Sequence, residues 1–210
     1  MIITVFGATG TVGKHVVTQA LQIGHTVKAF GRNVNAFAEL KNENLILITG
    51  DVLNEEHVSA AVKGSDAVIS VLGGPIVDND NIRSRGIETI IAGMKKNVVK
   101  RIIHLGGSGL LEVPNGQMHM ETDAFFKRFL PYSEEHRRAY HLLQHSGLEF
   151  TTFCPPDILD LPAGNDYKTF EEKYPADRKK NINAGDLVNE MLKAVNDKST
   201  YHKRIGITNN

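Results

Sequence analysis

The feature that most constrains this chain is a glycine-rich run close to its first residue. The β-prone stretch Ile2–Phe6 leads into the run GATGTVG at positions 7–13, and a helical pattern extends over Thr11–Ile23. A strand, a glycine turn and a helix in this order are typical of a dinucleotide-binding unit. In such a unit the first amides of the helix and the positive end of its dipole stabilise the pyrophosphate charge. The run therefore predicts a nucleotide site where the first strand ends.

Each glycine of this run has its own steric reason. Gly7 lets the chain turn sharply as it leaves the strand, and Gly10 lacks a Cβ that would occupy the space of a pyrophosphate. Gly13 lets the helix pack close to the sheet. The residues predicted to bind the cofactor at this turn are Gly7, Thr9, Gly10, Thr11, Val12 and Gly13.

Length and composition narrow the class of protein. The 210 residues suffice for one domain with a full core. Lys+Arg and Asp+Glu number 24 each, which predicts neither a basic surface for nucleic acid nor one for a membrane. The single cysteine, Cys154, excludes an internal disulfide and fits a reducing compartment. Because the sequence also shows no signal peptide and no apolar run of membrane-spanning length, we expect a cytoplasmic protein. The sequence leaves open whether it is a monomer or a homodimer.

Apolar β-branched runs alternate with helical patterns over the first two thirds of the chain. The predicted strands are Ile2–Phe6, Thr26–Phe30, Leu45–Thr49, Ala67–Val71, Arg101–Leu105 and Phe150–Cys154. The predicted helices are Thr11–Ile23, Val34–Leu40, Asn54–Val62, Asn81–Lys96 and Ser133–His145. Apolar strands separated by helices indicate a parallel sheet covered on both faces. The sequence thus predicts an α/β fold, a single-domain doubly wound parallel sheet (Rossmann fold) with strand order 3-2-1-4-5-6.

The last third of the chain has a different pattern. Residues 155–180 are rich in Pro, Gly, Asp and Lys and show little periodicity, which predicts a long loop on the substrate side of the site, over about 155–182. Asn183 is predicted to cap a helix that extends to about Val195, and Lys203–Thr208 to add an edge strand.

Two polar residues bear on the choice of cofactor. Arg32 ends the second predicted strand, where an NAD site usually has an acidic residue for the ribose 2′-hydroxyl. A guanidinium there would pair with a 2′-phosphate, so we expect NADP(H) to be preferred over NAD(H); the alternative is a solvated surface arginine. Asp51 follows the third strand and is predicted to accept a hydrogen bond from adenine, although a turn or N-cap aspartate fits the pattern equally well.

Further cofactor contacts are predicted beside the third and fourth strands. A glycine pair after the fourth strand suits close approach of the backbone to a ribose, although an ordinary loop would also contain it. The residues predicted here are Val52, Leu72, Gly73 and Gly74, with Pro75 next in the chain.

Other kinds of chemistry find little support in the sequence. Nine histidines are present, but His141 and His145 lack the glutamate that a zinc protease carries between them, so no metal is predicted. His104 falls in a central strand and is predicted to be a hydrogen-bonded core residue. The chain has no Gly-x-Ser-x-Gly run, which argues against a serine hydrolase.

Several motifs resemble one family. The run at 7–13, the triplet Gly50-Asp51-Val52 and the stretch 136–156 are similar to atypical short-chain dehydrogenases/reductases of the NmrA-like NAD(P)-binding branch. Residues 135–158 resemble the flavin reductase/biliverdin reductase B type, and residues 106–113 the bacterial NADH-flavin-reductase-like proteins. The resemblance spans nearly the whole chain, and it implies a Rossmann fold and an NAD(P)H-dependent activity.

The chain departs from the wider superfamily at the catalytic positions. That superfamily has Ser or Thr just after the fifth strand and Tyr-x-x-x-Lys on the next helix, whereas this chain has Gly106 and then Tyr132 followed by His136. With Ser133 as the predicted N-cap, Tyr132 lies outside the helix and points away from the site. A histidine does not supply the fixed charge of the lysine, so efficient alcohol or ketone chemistry is not expected.

The resemblance and the residues together favour hydride transfer from NAD(P)H to a flavin or a similar planar acceptor, such as a quinone or a biliverdin-like molecule. The candidate catalytic residues are His136, Ser108 and Tyr132, and Pro155 and Pro156 are predicted to border nicotinamide. The expected partner is therefore a small planar acceptor. The alternative is an NmrA-like redox sensor that binds NADP(H) with little turnover, while a sugar epimerase is disfavoured because the chain lacks a separate sugar-binding region.

Overall fold

The computed structural model of the chain describes residues 1–74, 81–175 and 179–210. Pro75, which the sequence places beside the ribose, lies outside these residues. Within them, no helix has the length and apolar character needed to cross a membrane.

The secondary structure alternates along the chain as the sequence predicts. The strands are β1 (Ile2–Phe6), β2 (Thr26–Gly31), β3 (Leu45–Thr49), β4 (Ala67–Ser70), β5 (Arg101–Leu105), β6 (Glu149–Cys154), β7 (Asp157–Leu159), β8 (Tyr167–Glu171), β9 (Asn181–Asn183) and β10 (Lys203–Asn209). The helices are α1 (Thr11–Gln22), α2 (Glu55–Val62), α3 (Ile82–Lys96), α4 (Leu130–Gln144) and α5 (Ala184–Ala194). Short 3-10 turns lie at Asn35–Phe37, Ser108–Leu110, His119–Glu121, Lys127–Phe129 and Lys198–Thr200.

The main sheet has eight strands in the order β3-β2-β1-β4-β5-β6-β10-β8. All neighbouring strands are parallel except β8, which is antiparallel to β10. The predicted fold class and the predicted order of the first six strands are therefore confirmed. The separate pair of β7 and β9 is also parallel.

Two apolar layers cover the sheet. Side chains of α1 and α5 pack on one face together with Ile3, Val5 and Ile69. Side chains of α2, α3 and α4 pack on the other face together with Phe6 and Val68. Because successive strand residues point to opposite faces, an uninterrupted apolar strand supplies both layers at once.

Three predicted elements are corrected by the structure. The segment predicted as the helix Val34–Leu40 forms only the 3-10 turn Asn35–Phe37. The predicted loop at 155–180 contains β7 and β8, and β10 is consequently an inner strand rather than an edge. β8 alternates half-buried and exposed residues and pairs with a strand more than thirty residues later, so its signal in the sequence is weak.

The start of α4 is also corrected. The helix begins at Leu130, three residues before the predicted N-cap, with Pro131 in its first turn, where a missing N–H costs no helical hydrogen bond. Ser133 is therefore a buried residue inside the helix rather than its cap. Tyr132 lies within the first turn, and one turn later His136 follows on the same side of the helix.

A buried arginine connects β5 with β6 and with the end of α5. Arg101 on β5 donates hydrogen bonds to the carbonyl oxygens of Ala194 and Val195, where α5 ends, and to that of Glu149 on β6. It also donates to the hydroxyls of Thr151 and Thr200. The guanidinium thus satisfies carbonyls that a helix end leaves without partners.

We predict that Arg101→Met lowers the free energy of unfolding by about 2–4 kcal/mol, because it leaves several buried acceptors unsatisfied. Lys203→Met is the control, since Lys203 pairs with Glu171 at the surface and this pair contributes at most about 1 kcal/mol. Urea unfolding of both variants measures the difference. Equal losses in the two variants would contradict the anchoring role of Arg101.

Candidate active site

A cleft opens at the carboxyl ends of the central strands. Its volume is about 930 Å³, at the upper end of the usual range for small-molecule sites. It lies between β1 and β4, where the order of the strands in the sheet reverses, the place where doubly wound sheets bind their ligands. The residues that line it are Gly7, Thr9, Gly10, Thr11, Val12, Phe30, Gly31, Arg32, Gly50, Asp51, Val52, Leu53, Val71, Leu72, Gly73, Gly74, Asn81, Ile82 and Leu105.

The glycine turn forms one wall of this cleft. Gly7 has a φ of +81°, and a Cβ there would lie 2.6 Å from the carbonyl oxygen of Val71. Gly13 packs on the turn, because a Cβ would lie 2.6 Å from the carbonyl carbon of Ala8 and closer still to the Gly7 oxygen. At Gly10, by contrast, a Cβ would have only the Gly7 oxygen nearby, at 3.4 Å, so this position faces open space in the cleft.

The start of α1 points its amides at the cleft. The N–H of Lys14 donates to the oxygen of Gly10 at 2.9 Å, which closes the first helical turn. The amides of Thr11, Val12 and Gly13 precede it and by helix geometry have no acceptor within the helix. No acidic side chain lies in this first turn, so the positive end of the helix dipole is not neutralised locally.

The polar residues predicted to select the cofactor both line the cleft. Arg32 is exposed, and it forms no ion pair with a carboxylate in residues 1–74, 81–175 or 179–210. Asp51 accepts a hydrogen bond from the Leu53 amide at 3.0 Å, while the N-cap of α2 is Asn54. Asp51 is therefore a turn residue in the wall of the cleft, and not an N-cap.

The wall formed after β4 is supported from α3. Leu72, Gly73 and Gly74 line the cleft, and the guanidinium of Arg83 donates to the carbonyl oxygen of Gly74 at 3.3 Å. Arg83 is only 5% exposed, and its guanidinium also lies over the ring of Tyr132, 4.9 Å from the centroid. Nothing in the sequence marks Arg83 as a buried residue of the site, because a single arginine in a helical pattern is ordinarily a surface residue.

The first turns of α4 pack on the loop that follows β5. A Cβ at Gly106 would lie 2.8 Å from the methyl of Thr152, and one at Gly109 would lie 2.8 Å from the Ser133 hydroxyl. At Gly107 a Cβ would lie 3.3 Å from Cδ2 of His136. The glycines after β5 thus leave room for α4, and His136 occupies space beside this loop.

Of the three candidate catalytic residues, Ser108 and His136 lie at this loop, and Tyr132 lies one helical turn before His136. Ser108 follows Gly107, and its amide donates to the oxygen of Pro155 at 2.9 Å. His136 adjoins Gly107, and Tyr132 packs against Arg83 rather than pointing away, because α4 starts earlier than predicted. Burial lowers the pKa of His136 to about 3, with smaller contributions from the charge of Arg83 and from His104. The imidazole is therefore neutral at physiological pH.

Three other residues named from the sequence, His104, Pro155 and Pro156, either lack the predicted contacts or lie outside the cleft. His104 is fully buried, but both of its ring nitrogens lack a hydrogen-bond partner among the described residues, so the predicted hydrogen bonds are absent. Pro155 and Pro156 follow β6 and do not line the cleft, and their contact with nicotinamide stays a prediction. Among residues 1–74, 81–175 and 179–210, no cluster of potential ligands could hold a metal ion.

Comparison with known proteins identifies the family. A model of the NAD(P)H-binding family matches residues 7–198, from the glycine turn to the short 3-10 turn that precedes β10. The chain belongs to the NAD(P)H-binding family. The matches confirm the resemblance to NAD(P)-binding proteins that the sequence motifs indicated.

Relatives cover different parts of the chain. YwnB of Bacillus subtilis, whose name assigns no activity, is 26% identical over 166 residues, which make up 78% of this chain and 75% of YwnB. The photosystem II assembly factor Ycf39 of Synechocystis sp. is 31% identical over 106 residues, 49% of this chain; the chain spans 32% of that longer protein. SP1627 of Streptococcus pneumoniae, a candidate NADH-flavin reductase, has the same fold, with a TM-score of 0.86 at 24% identity over 100% of each chain.

The contrast between two glycines tests the dinucleotide site. Gly10→Val should fold, since its φ of −74° suits any residue and the added side chain meets little protein, yet it should abolish NADPH binding by filling the cleft. Gly13→Val should instead destabilise the fold, because its side chain meets backbone atoms of the turn. Thermal unfolding and calorimetric titration with NADPH measure both effects. Unchanged NADPH affinity in a folded Gly10→Val variant would refute the assignment.

Proposed function

We propose that the protein is an NADPH-dependent reductase that transfers hydride to a flavin or a similar planar acceptor, such as a quinone or a biliverdin-like molecule. The observation that carries this proposal is the neutral His136 where the wider superfamily has a lysine. It stands one helical turn after Tyr132 and beside the loop that follows β5. The position thus lacks the lysine that assists the tyrosine in the alcohol and ketone chemistry of the wider superfamily.

Hydride transfer between two flat rings needs fewer catalytic side chains than alcohol or ketone chemistry does. The nicotinamide supplies the hydride, and the protein contributes mainly by holding the two rings in contact in the correct orientation. The cleft has the residues for such positioning of the cofactor: α1 amides for the pyrophosphate, Arg32 for a 2′-phosphate, and Asp51 for adenine. Leu72 and Gly73 would border the ribose, and Pro155 and Pro156 the nicotinamide.

The acceptor would bind beyond the nicotinamide, near the loop at Gly107 and Ser108. A neutral imidazole there can donate a hydrogen bond from its N–H to a carbonyl oxygen or a ring nitrogen of the acceptor. The name of SP1627 agrees with this activity, although at 24% identity the likeness supports the fold alone. The segment 155–182, which contains β7 and β8, would form the substrate side of the site.

The decisive measurement is steady-state oxidation of NADPH with FMN, a quinone and biliverdin as separate acceptors. Turnover with at least one of them supports the proposal. NADPH binding without turnover for any acceptor would favour the redox-sensor alternative, in which bound NADP(H) changes an interaction with a partner.

Cofactor choice gives the next prediction. We expect NADPH to bind more tightly than NADH, and Arg32→Ala to weaken NADPH binding by about ten- to a hundredfold, the effect of losing a charged hydrogen bond. NADH binding should not change. Lys41→Ala is the control, because Lys41 is also exposed but lies outside the cleft. Equal affinity of the unmodified protein for both cofactors would show that Arg32 is an ordinary surface residue.

A second prediction concerns the side chains of α4. Tyr132→Phe should change kcat only a few-fold, because positioning rather than a tyrosine acid drives the reaction, whereas His136→Ala should lower it by about 10²-fold. Since the pKa of His136 is lowered to about 3, kcat should stay level between about pH 5 and 8. A loss of several orders of magnitude in Tyr132→Phe would return carbonyl reduction as the leading function.

A further inference from the structure

A row of polar side chains crosses the apolar layer between the sheet and helices α3 and α4. Ser70 on β4, His104 on β5 and Thr152 on β6 lie side by side in register, and each is fully buried. We call these three residues the polar row. Their strand neighbours Val68, Ile102 and Phe150, two positions earlier and on the same face, belong to the apolar layer.

The polar row contains several atoms that need hydrogen bonds. The hydroxyls of Ser70 and Thr152 and both ring nitrogens of His104 have no hydrogen-bond partner within residues 1–74, 81–175 and 179–210. Leaving such atoms unsatisfied in an apolar layer costs free energy, and folded proteins rarely do so. Ordered water is the usual partner where several unsatisfied polar atoms lie together, since one buried molecule makes about three hydrogen bonds.

His136 extends this arrangement toward the cleft. Its ring lies 6.5 Å from the ring of His104, centroid to centroid, and its Nδ1 is buried without a partner among the described residues. The opposite edge faces the loop after β5, since a Cβ at Gly107 would lie 3.3 Å from Cδ2 and 3.7 Å from Nε2 of His136. One nitrogen of this ring therefore lies in the buried interior, and the other lies toward the loop after β5.

We propose that the polar row holds His136 in one tautomer through ordered water. A short chain of ordered water along the row, held by His104 and by the hydroxyls of Ser70 and Thr152 on either side of it, donates to Nδ1 of His136, so that the ring proton rests on Nε2 and is directed to the acceptor. Ser70, His104 and Thr152 are thus positioning residues that act through His136. The proposal rests on the proposed reductase function for the role of the acceptor, but the tautomer itself does not depend on turnover.

Because both histidine rings are neutral, the tautomer of His136 determines whether its Nε2 can donate a hydrogen bond. Burial lowers the pKa values of His104 and His136 to about 3, and the nearby charge of Arg83 acts in the same direction. Neither ring is protonated on both nitrogens at neutral pH. A neutral imidazole with its proton on Nδ1 would present only a lone pair at Nε2 and would repel an acceptor oxygen instead of donating to it.

The test reads the tautomer directly. Long-range proton–nitrogen NMR spectra of protein labelled at its nine histidines distinguish Nδ1–H from Nε2–H rings, and a His136→Asn variant assigns the signals of His136. We expect His136 to carry its proton on Nε2. Thr152→Val, which keeps the side-chain shape and removes the hydroxyl, should lower the ratio of Nε2–H to Nδ1–H by about five- to tenfold, as expected for one ordinary hydrogen bond.

Two further variants complete the experiment. His104→Gln should shift the same ratio in the same direction, and Thr152→Val alone decides if His104→Gln does not fold. Thr151→Val is the matched control: it lies next to Thr152 on β6, but its hydroxyl bonds to Thr200 on the opposite side of the sheet and should not affect the tautomer. A proton on Nδ1 of His136 in the unmodified protein, or a ratio that Thr152→Val leaves unchanged, would overturn the proposal.

Kinetics separate this inference from the proposed function. In an active enzyme, Thr152→Val should lower kcat several-fold and leave the KM for NADPH unchanged, because the cofactor site is not altered. A shifted tautomer ratio without turnover by any form supports the positioning role and contradicts only the reductase function. Turnover with an unchanged tautomer ratio contradicts the positioning role and leaves the reductase function intact.

Discussion

The contact between the glycine turn and α1 is the constraint on which the site depends. Gly13 sits so close to the backbone of Gly7 and Ala8 that a single added carbon would collide with it. This approach brings the N-terminus of α1 to the end of β1, and Gly7 in turn packs against the backbone of Val71. The first amides of α1 and the wall of the cleft after β4 are consequently positioned by the same few backbone contacts. Gly10, which meets little protein, is the position in this turn where space is kept for a ligand.

At the other end of the site, around the loop after β5, buried side chains rather than backbone contacts determine the arrangement. The loop after β5 has no side chain at Gly106 or Gly107, and the space is taken by Thr152 and His136 from neighbouring elements. Burial in the α3 and α4 layer keeps both His104 and His136 uncharged. The positive charge nearby is that of Arg83, which binds the carbonyl of Gly74 and stacks on Tyr132, and so supports the walls of the site.

Sequence reasoning predicted the fold well because its signals are local. The glycine run and the apolar strands determine the class and the order of six strands, whereas β8 pairs with the distant β10 and has only a short half-exposed pattern. The predicted start of α4 was wrong because Ser133 has the residue type of a cap, but packing against Gly109 buries it inside the helix. The cleft gathers most of the predicted cofactor residues, yet no sequence rule reveals that strand register aligns His104 with Thr152.

His136 stands where the wider superfamily has a lysine, and this difference bears on which acceptors the proposed reductase could reduce. Reduction of a ketone places negative charge on a single oxygen, which needs a strong proton donor beside it. Reduction of an extended ring system spreads the same charge over many atoms, so that one oriented hydrogen bond and good contact between the rings suffice. Under the proposed function, the neutral His136 beside the loop after β5 would provide the second kind of assistance and not the first. The role proposed for α4 therefore favours acceptors that are flat and delocalised.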